Sequence, residues 1–356
     1  MTAALSLDTY RLLGRSGLRV SPLSLGTTGF GASWGSDADT SRKIFDNYVD
    51  RGGNFVDTAV TYADGAAERL VGAFMKGKRD RIIVGTKFSH AREPGNPNSG
   101  GNHRLNMIRS VETSLRQLDT QWIDLLYLHN WDFTTAPDEI IRGLDDLVRS
   151  GKVVYVGISN APAWRVAQMQ TVADLRGWSP LVALQIEYNL VQRTAEHELI
   201  PMAVALGLGI LPWSPLASGL LGGKYDRGEI TAQDPKRADA SSSRRAIMAM
   251  SGNLTEKSFT IVDAVREVAG EMGVSCSQVA LAWVLQSPAI VSPIFGARTL
   301  DQFEDNLGAL SVRLSEDHRC RLGSASAPET IFPYGFVGHP SVRRILSGGA
   351  NIETRR

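Results

Sequence analysis

The chain is built on a rhythm: short apolar runs that read as strands alternate eight times with amphipathic stretches that read as helices. Strands are predicted over 23–26, 54–58, 81–87, 123–129, 153–159, 181–187, 209–213 and 290–295. Helices follow them over 40–50, 66–76, 104–118, 137–150, 161–173, 195–206, 256–272 with 275–286, and 300–309. The first helix shows the pattern, with Ile44, Phe45, Tyr48 and Val49 on one face. Strands separated by helices pair in parallel through right-handed crossovers. Eight such units predict an α/β fold, a closed (β/α)8 TIM barrel, over an open doubly wound sheet.

Ahead of the barrel, two brief strands around Gly14 and Gly17 predict an N-terminal β-hairpin. Three segments exceed ordinary connection length: 88–103, 214–254 and the tail after Ala325. Long loops are expected at the C-terminal face, and 88–103 reads either as a lid or as a disordered stretch. No linker divides the chain, so residues 1–356 are read as one domain, with a core over 10–325 and a tail over 326–356.

Charge narrows the partners. The 38 Lys and Arg residues nearly balance the 37 Asp and Glu, and a net charge of +1 offers no footprint for nucleic acid. A small molecule is the expected partner, and a homo-oligomer stays open. Cys276 and Cys320 are the only cysteines, no signal sequence precedes Leu12, and no apolar run approaches the roughly 20 residues that cross a bilayer. The expectation is a cytoplasmic protein with no membrane partner.

In a parallel barrel, reacting side chains lie at the C-terminal strand ends and in the loops beyond. Asp57, Lys87 and His129 all fall there, and Tyr62 sits in the loop after Asp57. Each alone has an ordinary reading: a helix cap, a solvated lysine, a core histidine, a packing tyrosine. Together they are harder to dismiss, because Lys and Asp are costly inside a barrel mouth unless paired. A tyrosine is a weak acid near neutrality, but an adjacent ammonium stabilises the phenolate. Lys87 would thus make Tyr62 a proton donor, Asp57 would hold Lys87 charged, and His129 would orient a carbonyl oxygen. Proton delivery to that oxygen requires a partner reaction at carbon, and hydride addition supplies it.

The later strand ends form a shelf for a hydride donor. Ser159, Asn160 and Gln185 suit a carboxamide, and Trp213 suits the face of a nicotinamide ring, although core packing explains a lone tryptophan equally well. Small residues over 216–223 and Lys224 are compatible with a pyrophosphate, unless the glycines only serve turns. The helix after Gly296-Ala-Arg298-Thr299 can accept a phosphate at its N-terminus, and Arg298 as a fork for a 2′-phosphate favours NADP(H). Gly26-Thr-Thr-Gly-Phe-Gly31 has the wrong order for a dinucleotide fingerprint, which disfavours a Rossmann domain.

These motifs together resemble the aldo-keto reductase superfamily over nearly the whole chain, from the hairpin to Leu310. The residues that carry the resemblance are Asn54-Phe-Val-Asp57-Thr-Ala with Tyr62, Thr86-Lys87, Leu126-Tyr-Leu-His129, Gly157-Ile-Ser-Asn160, Trp213-Ser-Pro-Leu216, and Gly296-Ala-Arg-Thr with Gln302, Asp305 and Asn306. The resemblance implies an NADPH-dependent carbonyl reductase with Asp57, Tyr62, Lys87 and His129 as its tetrad and Tyr62 as general acid. It implies that Ser159, Asn160 and Gln185 hold the carboxamide and that Trp213 stacks on the ring. Ser214, Leu216, Ser218 and Lys224 would line the pyrophosphate, with Thr27, Thr28, Pro215 and Ala217 completing the cofactor wall. Gly296, Arg298, Gln302, Asp305 and Asn306 would take the adenosine phosphate end, with Arg237 a further phosphate contact.

Trp213-Ser-Pro-Leu216 and the insert with Lys224 are similar to the branch of aryl-alcohol dehydrogenase-like enzymes and potassium-channel β subunits. The leading expectation is therefore reduction of an aldehyde or ketone. The alternatives are an NADP(H)-binding regulatory, redox-sensing subunit with low turnover, and a keto-deoxysugar reductase. Phe30, Trp34, Phe88 and Trp131 are expected to form an apolar substrate wall, with lid packing as the plainer explanation. A metal-dependent hydrolase is disfavoured, because only His129 among six histidines ends an inner strand, and no metal is expected.

Overall fold

Strands that are covered on both faces need apolar residues throughout, and the barrel strands here are buried along nearly their whole length. The computed structural model describes residues 5–225, 227 and 252–352. Eight parallel strands form its sheet: β3 (Ser24–Gly26), β4 (Phe55–Asp57), β5 (Ile83–Phe88), β6 (Ile123–Leu128), β7 (Val153–Ser159), β8 (Leu181–Glu187), β9 (Gly209–Trp213) and β10 (Ile294–Phe295). They neighbour one another in the order β10-β3-β4-β5-β6-β7-β8-β9. The remaining gap is narrowed by a parallel bridge between Ile210 and Ile290, where the Val291 N–H donates to the Ile210 carbonyl at 2.9 Å. The architecture is a (β/α)8 barrel.

An antiparallel hairpin, β1 (Arg11–Leu12) with β2 (Arg19–Val20), closes the opposite end from the site. Leu13 and Val20 are fully buried and join Phe55, Leu125, Tyr127 and Leu211 in the core inside the barrel. Gly14 makes this approach feasible: its φ is +56°, and a Cβ there would lie 2.5 Å from the Val182 carbonyl oxygen.

Outside the strands, α1 (Ala38–Asp50), α2 (Ala66–Met75), α3 (Arg104–Gln117), α4 (Pro137–Arg149), α5 (Ala163–Arg176) and α6 (Leu199–Leu206) cover the sheet. Asp37 caps α1, accepting from the Thr40 N–H at 2.8 Å. The side chains expected on the first helix face, Ile44, Phe45, Tyr48 and Val49, are buried against β3 and β4. Helices Glu256–Met272 and Cys276–Leu285 pack as a bent pair, and among the described residues no single helix is long and apolar enough to cross a membrane.

Several boundaries differ from expectation for local reasons. The last strand shrinks to Ile294–Phe295 because Pro293 has no N–H for the ladder, although its carbonyl accepts from Ser24 N at 2.9 Å. α5 begins at Ala163 behind Pro162 rather than at 161, and residues Thr194–Glu196 form a separate 3₁₀ turn before α6. Glu316–Ala325 before the tail, and Tyr334–Gly338 and Pro340–Leu346 within it, are helices that the apolar periodicity did not announce. Segment 88–103 is ordered by a bond of its own, Gly101 N to Ser89 O at 2.7 Å, and by one to the loop after β6, Asn102 N to Asp132 Oδ2 at 2.7 Å.

Candidate active site

Strand alternation decides which side chains enter the barrel mouth. Asp57 ends β4, Lys87 is the penultimate residue of β5, and His129 follows β6, its N–H donating to Phe88 O at 3.0 Å. Because neighbours on a strand face opposite ways, Lys87 points inward while Thr86 points out and donates to Glu68 of α2 at 2.5 Å. The chain after β4 then turns through the 3₁₀ segment Tyr62–Gly65, which brings Tyr62 back over the same mouth.

Lys87 Nζ is saturated. It donates to Asp57 Oδ2 at 2.6 Å, to the Thr58 carbonyl at 2.7 Å and to the Tyr62 hydroxyl at 3.2 Å, using all three of its donors. Gln185 Nε2 donates to the other oxygen of Asp57 at 2.8 Å. Burial works against the ammonium, but Asp57 and Tyr62 outweigh it and hold Lys87 above its ordinary range. Burial likewise pushes the Asp57 carboxyl up, opposed by Lys87 and Gln185. The result is a buried ion pair with one ammonium hydrogen aimed at a phenol.

His129 stands on the far side of that phenol, with ring centroids 5.9 Å apart and planes at 74°. Burial first, then the Lys87 ammonium and His90, lower its pKa to about 2. The imidazole is therefore neutral, able to donate one hydrogen bond and accept another.

Asp57, Tyr62 and His129 floor a cavity of about 590 Å³ that runs past Asn160, Gln185 and Trp213 to Gly296 and Arg298, with Lys87 buried beneath them. Thr28, Trp34, Ser214, Pro215, Leu216 and Ser218 also line it. Lys224, Gln302, Asp305 and Asn306 border an adjoining crevice with Leu216 and Gly296. Thr27 stands behind the wall, fully buried, with its hydroxyl donating to the Asp57 carbonyl at 3.0 Å. Ala217 is buried beneath the loop, and Arg237 lies outside the described residues.

Three of the four residues expected in the substrate wall are elsewhere. Phe88 follows inward-facing Lys87 on its strand, so its ring turns out into the strand–helix core. Phe30 is folded against Phe74 of α2, ring centroids 6.3 Å apart, by a loop that closes through the Phe30–Ser36 bridge. Trp131 is buried under the Arg165 guanidinium, 5.6 Å from the ring centroid. Trp34 alone of the four lines the cavity.

The donor set fits a nicotinamide dinucleotide. Ser159 Oγ is buried with no hydrogen-bond partner beside Asn160 and Gln185, and Trp213 presents an aromatic surface to the cavity. Arg298 Nε is also buried without a partner, and among the described residues its guanidinium makes no ion pair. The loop after Trp213 is less open to an anion than its glycines suggested. The amides of Ala217, Ser218 and Gly219 are taken by Ser214 O, Ser214 Oγ and Leu216 O, and Ser214, Ala217 and Ser218 hold φ values of 53°, 46° and 54°. Charge for a pyrophosphate thus falls to side chains rather than to those amides.

Two contributors were missed. Asn130 lines the cavity next to His129, and His90 stacks on the His129 ring at 3.9 Å with planes at 18°. Asn130 was legible as the neighbour of a strand-end histidine; His90 required knowing how the loop after β5 folds back.

Residues 22–326 match the model of the Aldo/keto reductase family. Over 347 residues the chain is 36% identical to aldo-keto reductase ausK of Aspergillus calidoustus, covering 93% of this chain and 85% of that protein. It is 33% identical over 352 residues to the aryl-alcohol dehydrogenase [NADP(+)] of Phanerodontia chrysosporium, covering 94% and 90% of the two chains. A norsolorinic acid reductase of Aspergillus flavus is 34% identical over 344 residues, covering 93% and 84%.

Proposed function

From the premise that this chain belongs to the aldo/keto reductase family, and is an oxidoreductase, we propose that it reduces an aldehyde or ketone to an alcohol with NADPH, Tyr62 giving the proton. The observation that carries this reading is the 3.2 Å contact between the Lys87 ammonium and the Tyr62 hydroxyl at the floor of the cavity. A carbonyl oxygen held between Tyr62 and His129 becomes an alkoxide as its carbon is reduced, and the Tyr62 proton moves to it. Lys87 then faces the phenolate left behind, and Asp57 balances the ammonium. Neutral His129 donates a hydrogen bond to the same oxygen and orients it without adding positive charge beside Lys87. Ser159, Asn160, Gln185 and Trp213 would hold a reduced nicotinamide, which when bound would supply the hydride to the carbonyl carbon. Water returns the proton to Tyr62.

NADPH is favoured over NADH by the unpaired Arg298 guanidinium at the far end of the cavity, and the name of the Phanerodontia relative points the same way. Trp34 beside the tetrad favours a substrate with an aromatic or otherwise bulky apolar portion. The test follows NADPH absorbance with purified protein across aryl aldehydes, ketones and nucleotide keto-sugars, in wild type and Tyr62→Phe. Loss of about 100-fold or more in kcat with unchanged NADPH affinity supports the reading. Equal turnover in the variant rejects Tyr62 as the acid, and no wild-type turnover with any carbonyl rejects the activity.

A further inference from the structure

Trp213 can only donate, through Nε1, so its 3.0 Å contact with Asn160 Oδ1 fixes the direction of the Asn160 amide. Asn160 Nδ2 must then donate, and it does so to Asn130 Oδ1 at 2.9 Å and to the His129 carbonyl at 3.1 Å. That fixes the Asn130 amide in turn. Its Nδ2 lies 3.0 Å from His90 Nε2, which can only be the acceptor. The indole therefore dictates, two amides away, that His90 carries its proton on Nδ1.

The ring so fixed lies face to face on His129, centroids 3.9 Å apart and planes at 18°. Backbone strain holds it there. Ser89, the residue before it, has φ +109°, a region that side chains other than glycine rarely adopt. Ser89 is pinned from two sides, its carbonyl accepting from Gly101 N at 2.7 Å and its hydroxyl from His129 N at 3.1 Å. Ordinary stacking would need neither the strained residue nor the directed hydrogen-bond chain.

We propose that His90 is a positioning residue: held as the Nδ1–H tautomer by the Trp213–Asn160–Asn130 chain, its ring clamps the His129 imidazole in place against Tyr62. The proposal rests on the reductase reading, and it links the orientation of the imidazole to the indole that walls the cofactor cavity. The titratable and charged groups facing His90 are Lys87, three residues before it on β5, and His129 just after β6. A proton added at Nε2 would set two donors against each other at Asn130 and a second cation near Lys87. Burial and Lys87 accordingly lower the His90 pKa.

The chain can be read without turnover, by ¹⁵N spectra of protein labelled in its imidazoles. Wild type is expected to show His90 as the Nδ1–H tautomer at about pH 7–8, above the free His value of about 6.5. Trp213→Phe, which keeps a ring but removes the donor, is expected to mix the His90 tautomers and shift the His129 signals. In kinetics, His90→Ala is expected to lower kcat on the order of 10-fold with little change in the KM for NADPH. His90→Phe, which restores a stacked ring, is expected to recover most of kcat and to lose the acid limb of the wild-type pH profile. Finding His90 as Nε2–H in wild type would overturn the proposal. So would His129 signals that are the same in wild type, His90→Ala and His90→Phe. Failure of the reductase reading is separate: it appears as absent wild-type turnover or an active Tyr62→Phe, and the spectra judge the clamp in either case.

Discussion

Lys87 and Tyr62 meet through a single hydrogen bond of 3.2 Å, with the ammonium 4.8 Å from the centre of the phenol ring. The other two Lys87 donors are committed to Asp57 and to the Thr58 carbonyl, so the lysine cannot swing away from the phenol without breaking a buried ion pair. A side chain with four rotatable carbons is in this way made as directional as a backbone amide.

Removing Lys87 therefore exposes two different functions of one residue. Lys87→Met leaves Asp57 buried and unpaired, and we expect a loss of about 3–5 kcal/mol in urea unfolding. Adding Asp57→Asn removes the orphan charge and is expected to restore most of that stability. Carbonyl reduction is expected to stay at least about 100-fold below wild type in the double variant, because nothing then faces the phenolate. Recovery of turnover alongside stability would show that Lys87 acts only in packing.

The convergence of Asp57, Tyr62, Lys87 and His129 was legible from sequence because three consecutive strands carry an ionisable side chain at or beside their ends, and because parallel barrels gather strand ends at one mouth. The substrate wall was not. Phe88 was expected in the loop after a strand ending at Lys87, but β5 runs on through Phe88, and alternation with inward Lys87 turns its ring out. Phe30 sits in a loop, where no periodicity tells which way a ring turns. The barrel rhythm survived even where strands proved as short as Ile294–Phe295, since helix length between strands carries the signal. The helix Glu316–Ala325 was missed because it has a single buried residue, Leu322, and hence no apolar stripe to read.

The hairpin that stoppers the barrel is predicted to depend on Gly14. With φ +56° and room for no Cβ between the Val182 and Gly207 carbonyls, Gly14→Ala must move the backbone. We expect a loss on the order of 2–4 kcal/mol, seen as a lower urea midpoint with unchanged slope. Kinetic constants of the folded fraction should be preserved, because the hairpin lies at the end of the barrel away from the tetrad. Unchanged stability would mean that the hairpin contributes little to the fold.

Glu68 predicts an unusual dependence of stability on pH. Its carboxyl is buried on α2 with Oε2 unpartnered, and burial, opposed chiefly by the Thr86 hydroxyl, raises its pKa to about 7 from 4.5. Between those two values the folded chain holds a proton that the unfolded chain has released, so this group's contribution falls as pH rises through the window. The difference amounts to roughly 3 kcal/mol at most above neutrality. Glu68→Gln keeps the acceptor for Thr86 and removes the charge. It is expected to match wild type near pH 4.5 and to exceed it in urea unfolding at pH 8. Equal curves for the two proteins at pH 8 would show that the carboxylate is solvated there.

Cofactor choice is predicted to rest on Arg298. Its N–H donates to Gln302 Oε1 at 3.1 Å, and Thr299 caps the helix Leu300–Gly308 by accepting from Gln302 N at 3.2 Å, so the backbone that carries the guanidinium is fixed. Asp305, the carboxylate that lines the crevice, is occupied by Gln278 Nε2 at 3.1 Å. A planar fork with a free Nε at this end of the cavity matches a phosphate monoester and has no equivalent target on a bare ribose. Arg298→Ala is therefore expected to weaken NADPH binding about 10- to 100-fold in fluorescence titration, a loss of about 1.4–2.7 kcal/mol, and NADH binding by less than about threefold. Equal losses for both dinucleotides would assign Arg298 to the adenine or the pyrophosphate instead.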